Sequence, residues 1–325
     1  MKILFTSTHL APFIREDLAL LEKHFTVRPL TVRGPFAPLR ILLAGLRADA
    51  TFTWFASVYS AFAVLASRLT GKPSFIVVGG VDASRIPGIR YGIWLNPWKA
   101  VFVRWAMRNA GRLLIVDPFF RGEIIRLAEY DGANIEYVPT GYDPEFWVPR
   151  GEKTRTVLSV APSHDVWRFR KKGLDVLMEA ARRLPRVPFD VVGIAPRLIG
   201  ELAGEAPVNF RLHPPVPRDA LLPLYQRAKV YCQSSAAEGL PNSLCEAMLC
   251  GCVPVGTHVG GIPTAIDGCG YLVPYGDPGA LASALEKALD APPDAGTAAR
   301  NRIAGTFTLR RREEALLRLL GEGSR

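Results

Sequence analysis

The chain has 325 residues, 49% of them apolar, and a formal net charge of +10. This length suits two domains of ordinary size, each large enough to bury its own core. Every long apolar run is broken by Arg, Asp, Gly or Pro, so the sequence excludes a membrane-spanning segment of about 20 residues. The five cysteines are an odd number without C-x2-C spacing, which argues against a disulfide framework or a zinc site and favours buried free thiols.

The first half of the chain alternates apolar strand patterns with helical patterns, as in a parallel doubly wound sheet. The opening stretch MKILFTSTHLAPF is too short and too soon interrupted for a secretory signal, which favours a first strand and a cytoplasmic protein. His9 lies at the end of this strand and Asp82 lies just past the fourth. The predicted strands are residues 2–7, 26–31, 50–55, 73–79, 112–116 and 135–138.

Residues 68–112 carry eight Arg or Lys against the single acidic residue Asp82. Aromatic residues are interleaved with these cations, and such a mixture can bind an anionic membrane face. The same composition would also suit a helix packed by its aromatic side, or contact with nucleic acid, although no nucleic-acid motif is present. The sequence therefore predicts either simple packing or peripheral membrane contact through 85–108, on the inner face of the cell membrane, and no nucleic-acid partner.

A domain boundary is predicted in PEFWVPRGEKTR, residues 144–155, where two prolines, a glycine and mixed charge interrupt the pattern. The predicted domains are 1–148 and 149–305, followed by a helical segment within 306–325. Two such doubly wound domains, of the type common among nucleotide-binding proteins, would form a cleft if they faced one another. The predicted strands of the second series are residues 156–161, 187–193, 208–212, 229–234, 252–256 and 270–273.

A basic loop, HDVWRFRKKG at 164–173, follows the first strand of the second series. Its cations precede the helical pattern GLDVLMEAARRL, so they can converge on a phosphate near a helix start. The alternative is a solvated basic loop, which is what most charge runs are. The cations are Arg168, Arg170, Lys171 and Lys172.

Glu238 and Glu246 stand eight positions apart across a Gly-Leu-Pro-Asn-Ser turn that follows a buried strand and opens a helix. Unpaired backbone N–H groups at a helix start favour an anion such as phosphate. A carboxylate at each end of the turn can accept hydrogen bonds from the hydroxyls of an attached polyol. The alternative is a capping box in which Glu246 pairs with Ser243 and only satisfies the backbone of its own helix.

The stretch EGLPNSLCEAM resembles the E-x7-E signature of the retaining glycosyltransferases of family 4. The following GCVPVGTHVGGIPTAIDGCGYLVPYGDPGALASALEKAL is similar to that family's next strand, glycine turn and helix, although Thr264 stands where the family commonly has Glu. VPTGYDPEFW is similar to the family's N-G-V-D-x-x-x-F segment, with Thr140 in place of Asn. The resemblance covers residues 136 to 290 and is weak before them.

The resemblance implies an α/β protein of the GT-B fold, with two Rossmann-like domains facing across a cleft. In that family the donor lies mainly on the C-terminal domain and the acceptor mainly on the N-terminal one, and the last helix returns to the first domain. Glu246 would hold the nucleotide ribose, and Glu238 would lie at the donor sugar. The backbone of Gly239, Leu240, Pro241, Asn242 and Ser243 would contact sugar and phosphate.

The resemblance also implies roles for residues outside the two glutamates and their turn, and for some of these residues an alternative role stays open. Lys172 before Gly173 matches the family's diphosphate-binding Lys. Arg168 or Arg170 would replace the usual Arg, because Ala-Pro-Ser stands here where the family has Gly-Arg-Leu. His213 and Val216 would flank the nucleobase or belong to an ordinary loop.

Asp82 occupies the position of a His or Asp near the reacting sugar carbon in the family, where a carboxylate could accept a proton or bind a sugar. The alternative is an Asx-type loop cap. A GT-B enzyme that inverts the anomeric configuration would use a His at the position of His9 as its general base. Because the E-x7-E signature accompanies retention in the family, His9 is expected instead to bind substrate or to be structural.

The expected function is retaining, metal-independent transfer of a sugar from a nucleotide diphosphate donor to a sugar, lipid-linked or small-molecule acceptor. No aspartate pair has the D-x-D spacing of metal-binding glycosyltransferases, and basic residues would replace the metal, so no cofactor is expected. Fold does not determine function. The alternatives are a nucleotide-sugar epimerase, a phosphorylase, or a non-catalytic protein of this fold that binds a membrane or a partner.

Overall fold

The computed structural model describes residues 1–31 and 33–322, which form two compact units. The N-terminal unit comprises Met1–Thr140 together with the segment that begins at Arg310, and the C-terminal unit comprises Gly141–Leu309. Each unit has its own parallel sheet, its own helices and its own buried core.

The N-terminal unit is built on a six-stranded parallel sheet with the strand order β2-β1-β3-β4-β5-β6. Strands β3 and β4 lie inside the sheet and are buried at every position, including their Thr and Ser residues, as expected where helices cover a parallel sheet. Its elements are β1 (Lys2–Ser7), α1 (Pro12–Glu22), β2 (Thr26–Thr31), α2 (Ala37–Gly45), β3 (Ala50–Trp54), α3 (Val58–Thr70), β4 (Ser74–Val78), α4 (Pro97–Asn109), β5 (Arg112–Ile115), α5 (Phe119–Ala128) and β6 (Ile135–Tyr137).

The C-terminal unit is a second six-stranded parallel sheet, with the order β12-β11-β10-β7-β8-β9. The strand order reverses between β7 and β10, the point at which open α/β sheets form a crevice beyond their carboxyl ends. Its elements are β7 (Thr154–Ser163), α6 (Val166–Lys171), α7 (Leu174–Arg183), β8 (Phe189–Ile194), α8 (Pro196–Leu202), β9 (Phe210–His213), α9 (Arg218–Arg227), β10 (Ala228–Gln233), α10 (Asn242–Leu249), β11 (Val253–Thr257), α11 (Ile262–Ile266), β12 (Tyr271–Val273), α12 (Pro278–Asp290) and α13 (Pro293–Thr306).

The last described element is α14 (Leu309–Glu322), which packs on the rest of the N-terminal unit through a buried ion pair. The Arg312 guanidinium donates to both carboxylate oxygens of Asp17 on α1, at 2.9 and 2.6 Å, and to the Val138 carbonyl at 2.5 Å. Trp54 donates to the same carboxylate at 2.9 Å. Within the predicted segment 306–325, residues 323–325 lie outside the described part of the chain.

Candidate active site

The carboxyl ends of β7 and β10 bring together the two segments that the sequence singled out. The segment after β7 differs from the predicted loop, because residues Val166–Lys171 form the short helix α6. Asp165 begins this helix by accepting the backbone N–H of Arg168 at 2.7 Å. The side chains of Arg168 and Arg170 are exposed, whereas Lys171 and Lys172 are half-buried at the end of the helix.

Glu238 lies just beyond β10 and accepts three hydrogen bonds on one carboxylate oxygen. Its Oε1 lies 2.6 Å from Nζ of Lys172, 2.6 Å from Oγ of Ser235 and 2.8 Å from Nε2 of Gln233. Its Oε2 makes no hydrogen bond to any residue that the structure describes. The carboxylate is therefore held rigidly by one oxygen while the other can accept a ligand hydroxyl.

Burial and neighbouring charges set the protonation of Glu238 and of the lysines beside it. Burial would raise the pKa of Glu238, but Lys172 and Lys171 hold the pKa of this carboxyl below its ordinary value. Burial, with the nearby charges of Lys172 and Arg168, lowers the pKa of Lys171 to about 8 although Glu238 opposes the shift. At neutral pH Glu238 is a carboxylate beside two ammonium groups, and the site loses positive charge as pH rises through the pKa of Lys171.

Two glycines allow the loops around Glu238 to touch backbone to backbone. A Cβ on Gly173, whose φ is +64°, would lie 1.9 Å from the carbonyl oxygen of Ser234. A Cβ on Gly260, with φ +53°, would lie 2.1 Å from the carbonyl oxygen of Glu238. Only glycine leaves this space and adopts this backbone conformation freely. The ends of β7, β10 and β11 therefore meet closely at the candidate site.

Glu246 lies on α10 and is held by side chains rather than by its own helix. Nε and Nη2 of Arg218 donate to its Oε1 at 3.1 and 2.9 Å, and the Tyr225 hydroxyl lies 3.3 Å from its Oε2. Arg218 begins α9, and its guanidinium lies 5.2 Å from the ring centroid of the buried Trp147. No side chain caps the start of α10 among the described residues, so the capping-box alternative does not describe Glu246.

The turn between the two glutamates ends at the start of α10. Leu240 and Pro241 are buried, and Gly239, Asn242 and Ser243 are partly exposed. The Asn242 side chain accepts a hydrogen bond from the Tyr142 hydroxyl at 3.0 Å, which fixes the first residue of the helix. The backbone N–H groups at the start of α10 thus lie on the same turn as Glu238, as the predicted anion contact requires.

His213 ends β9, and its ring is engaged by a buried carboxylate. Nε2 of His213 lies 2.8 Å from Oδ1 of Asp190 on β8, and Arg211 donates to the other oxygen of Asp190 at 3.0 Å. Val216 is partly exposed in the loop between β9 and α9. The ring of His213 is therefore oriented by Asp190, and the predicted contacts of His213 and Val216 with a nucleobase stay predictions.

Asp82 is completely buried in the N-terminal unit, and its carboxylate binds the backbone. Oδ2 accepts the N–H of Ala56 at 2.9 Å, and Oδ1 accepts the N–H groups of Gly79 and Gly80 at 3.2 and 2.9 Å. Burial raises the pKa of Asp82 to about 6 although these hydrogen bonds oppose the shift. In this structure the carboxylate holds together the loops after β3 and β4, which is the geometry of the loop-cap alternative.

His9 is exposed just beyond β1, where the strand order of the N-terminal sheet reverses between β1 and β3. Its ring stacks on Phe55, which follows β3, with the centroids 6.0 Å apart and an interplanar angle of 12°. Phe55 has a φ of +68°, an uncommon backbone conformation for a residue with a side chain. His9 and Phe55 therefore form an aromatic surface at the carboxyl edge of this sheet.

Three polar residues of the site were not predicted. Gln233 and Ser235 precede Glu238 by five and three positions, and Arg218 lies 28 positions before Glu246. Neighbouring Gln and Ser on a strand end give a weak sequence signal, and a single Arg at a helix start gives none. Of the cysteines, Cys269 is partly exposed, and the others are buried free thiols: Cys232, Cys245, Cys250 and Cys252.

Residues 156–291 match the family model of glycosyl transferases group 1. A curated relative, the D-inositol 3-phosphate glycosyltransferase of Mycolicibacterium smegmatis, is 28% identical over 238 residues, which is 68% of this chain and 55% of the relative. The enzyme of the same name from Mycolicibacterium gilvum is 29% identical over 239 residues, covering 68% of this chain and 54% of the relative. The alignments with these two relatives thus span about half the length of each.

Solved structures match the chain over nearly its whole length. Anabaena Alr3699/HepE, in complex with UDP and glucose, has a TM-score of 0.76 and 18% identity, covering 99% of both chains. Sucrose-phosphate synthase from Thermosynechococcus elongatus has a TM-score of 0.79 and 14% identity, covering 99% of this chain and 98% of that chain. The predicted fold class, GT-B with two doubly wound sheets, is confirmed. The chain therefore has the GT-B fold, and its residues 156–291 are similar to the glycosyl transferases group 1.

Proposed function

We propose that the chain is a retaining glycosyltransferase that moves a hexosyl group from a nucleotide diphosphate donor to a sugar, lipid-linked or small-molecule acceptor without a metal. The observation that carries this proposal is the ion pair of Lys172 and Glu238 at 2.6 Å, where the strand order of the C-terminal sheet reverses. This pair sets a cation suited to a diphosphate beside a carboxylate suited to sugar hydroxyls.

The reaction breaks the bond between the anomeric carbon and the diphosphate oxygen. In retaining transfer the acceptor oxygen forms its bond to the same face of that carbon, and the acceptor proton passes to the departing phosphate oxygen. The protein then needs to stabilise negative charge on the leaving group and to hold the two substrates in place. Lys172 has ammonium hydrogens beyond the one directed at Glu238, and Lys171 adds a second positive charge.

Glu238 and Glu246 would bind different parts of the donor. Oε2 of Glu238 is the oxygen that would accept a hydroxyl of the transferred sugar, since Oε1 is already bonded by protein groups. Glu246 would accept the ribose hydroxyls while Arg218 keeps its carboxylate in one orientation. Truncating either carboxylate would remove hydrogen bonds to hydroxyls, and a diphosphate alone would be affected less.

The similar proteins support a nucleotide-sugar donor and suggest acceptors. HepE was crystallised with UDP and glucose, which makes a uridine nucleotide the first candidate for the donor. The relatives from Mycolicibacterium act, by name, on D-inositol 3-phosphate, which makes a phosphorylated polyol the first acceptor to try. We place the acceptor on the N-terminal unit near His9, and a cytoplasmic location stays a prediction.

The function is tested by following donor consumption and product structure. The chain is incubated in EDTA with UDP-, GDP-, ADP- and dTDP-sugars, each alone and with inositol phosphate, simple sugars or a lipid acceptor. Consumption is expected for one donor only when an acceptor is present, and proton NMR should show the anomeric configuration of the donor in the product. Lys172→Ala serves as the inactive control for each productive pair.

The rival functions give different products in the same assay. An epimerase would convert the sugar nucleotide without any acceptor, and a phosphorylase would require free phosphate. Inversion of the anomeric configuration, or a strict requirement for a divalent metal, would overturn the retaining, metal-independent scheme. Consumption of no donor under any condition would favour the non-catalytic alternative.

A further inference from the structure

Helix α2 of the N-terminal unit exposes an apolar stripe. Its buried side, which includes Ile41 and Ala44, packs against the sheet. The opposite side presents large apolar residues at spacings of three and four positions, which places them on one face of the helix. These residues, with their exposed fractions, are Phe36 at the helix N-cap (76%), Leu39 (55%), Leu43 (52%) and Leu46 at the C-cap (37%).

Helix α4 exposes a second stripe with the same spacing. Val103, Ala106 and Met107 on one side are buried. The outer side is aromatic and aliphatic, although an exposed helix face normally carries polar side chains. Its residues are Trp98 (56% exposed), Val101 (63%), Phe102 (37%) and Trp105 (37%).

Helix α3 joins the two stripes into one layer. It packs against α2 on one side and α4 on the other, and Phe62 of α3 stacks on Phe102 with the centroids 6.3 Å apart. Leu69, near its end, is 65% exposed. The outer surface of α2, α3 and α4 is hereafter called the helix-layer surface. Neighbouring large apolar residues exposed together on a protein surface mark interaction sites.

The charge of the helix-layer surface has a single sign. Helices α2, α3 and α4 contain no Asp or Glu at all. Their basic residues are Arg40, Arg68, Lys99, Arg104 and Arg108. Arg104 and Arg108 are partly neutralised by Glu129, at 2.9 and 3.9 Å. Arg40 and Arg68 are exposed beside the apolar stripes, so the surface is both apolar and positively charged.

We propose that the helix-layer surface docks on an anionic lipid bilayer. Tryptophan and phenylalanine side chains favour the boundary between headgroups and acyl chains, and Arg and Lys at the same level attract anionic headgroups. None of the described helices is long and apolar enough to cross a bilayer, so the contact is peripheral. The sequence predicts membrane contact only through 85–108, whereas the structure shows that α2 also exposes a row of large apolar residues. The proposal does not depend on the proposed glycosyl transfer.

The test compares binding of the full chain to two kinds of vesicle. One consists of phosphatidylcholine, and the other contains equal parts of phosphatidylcholine and phosphatidylglycerol. Cosedimentation should show binding to the anionic vesicles that weakens at high salt, because surface charge is screened. A variant that replaces Leu39, Leu43, Trp98 and Val101 by Gln should bind about tenfold more weakly or worse. All four residues are more than half exposed, so folding should survive.

Two further variants separate the contribution of positive charge to vesicle binding from that of the apolar stripes. Arg40→Gln with Arg68→Gln should weaken binding to anionic vesicles only, since it leaves the apolar stripes intact. Val208→Gln with Leu272→Gln changes exposed apolar residues of the C-terminal unit and should bind as the wild type does. Equal binding by wild type and the fourfold variant would overturn the proposal. Failure of the wild type to bind either kind of vesicle would also overturn it. A dimer of the wild type in analytical sedimentation that is absent in the fourfold variant would overturn it too, because the surface would then be a protein interface.

Discussion

Replacing Lys172 by Ala is expected to lower the rate of sugar transfer by about 10²- to 10³-fold, the usual effect of removing one preorganised group that stabilises developing charge. Lys172 is half-buried, ends the segment after β7 and donates to Glu238 at 2.6 Å. A diphosphate leaving group at this position would lose its nearest cation. The measurement is the steady-state rate with the productive donor and acceptor, beside the free energy of unfolding in urea.

The same change should alter the pH profile in a defined direction. Lys172 is a principal cause that keeps the pKa of Glu238 low against the effect of burial. Without it the pKa of Glu238 rises, so the residual activity should fall at a higher pH on the acid side than in the wild type. Arg168→Ala removes an exposed cation five positions before Gly173 and tests whether that second cation of the segment also contributes. Loss of activity in Arg168→Ala with full activity in Lys172→Ala would contradict this assignment.

Replacing Gly173 by Ala is expected to destabilise the C-terminal unit by about 2–4 kcal/mol. The added Cβ would lie 1.9 Å from the Ser234 carbonyl oxygen, a backbone atom that cannot rotate away. Overpacking of this kind costs about 1–3 kcal/mol, and a side chain at positive φ adds about 1 kcal/mol. Ser234 and Ala236 also hydrogen-bond the carbonyls of Lys172 and Lys171, so the shift should move Lys172 away from Glu238.

Gly276 provides the matched control for the cost of a side chain at positive φ without a steric clash. Its φ is +85°, and a Cβ there would meet no described atom within 4 Å. Gly276→Ala should therefore cost about 1 kcal/mol and leave transfer activity unchanged. Urea unfolding of both variants makes the comparison. Equal destabilisation of the two would show that the close approach of Gly173 to Ser234 does not hold in solution.

The strands could be predicted from the sequence because most of them are short runs rich in apolar and β-branched residues between turns. All twelve predicted strands are present, with ends that differ from the observed ones by at most two residues. Strands that are buried on both faces are recognised by their apolar content rather than by an alternation of apolar and polar residues, and Gly, Pro and charged residues mark the loops between them. The buried carboxylate of Asp82 was harder to predict, because its partner Ala56 lies 26 positions away and becomes a neighbour only when β3 and β4 pair.

The site was predictable only in part, because its contacts join distant positions. Glu238 and Lys172 were both singled out, but their direct pairing spans 66 positions and needed the sheet order. Helix α6 was missed because its run of cations suggested a solvated loop, although Asp165 is a suitable N-cap. The apolar stripe on α2 has helical spacing that normally predicts burial, so its exposure could not be read from the sequence.

The most direct test of the central claim is the change in melting temperature caused by UDP, GDP, ADP and dTDP in EDTA. A ligand that binds only the folded state at about 100 times its Kd adds about 2.7 kcal/mol of stability. One nucleotide should stabilise the wild type and Glu286→Ala, which changes an exposed glutamate on α12, but not Glu246→Ala. Stabilisation of Glu246→Ala as large as that of the wild type, or no stabilisation by any nucleotide, would contradict a donor site at the ends of β7 and β10.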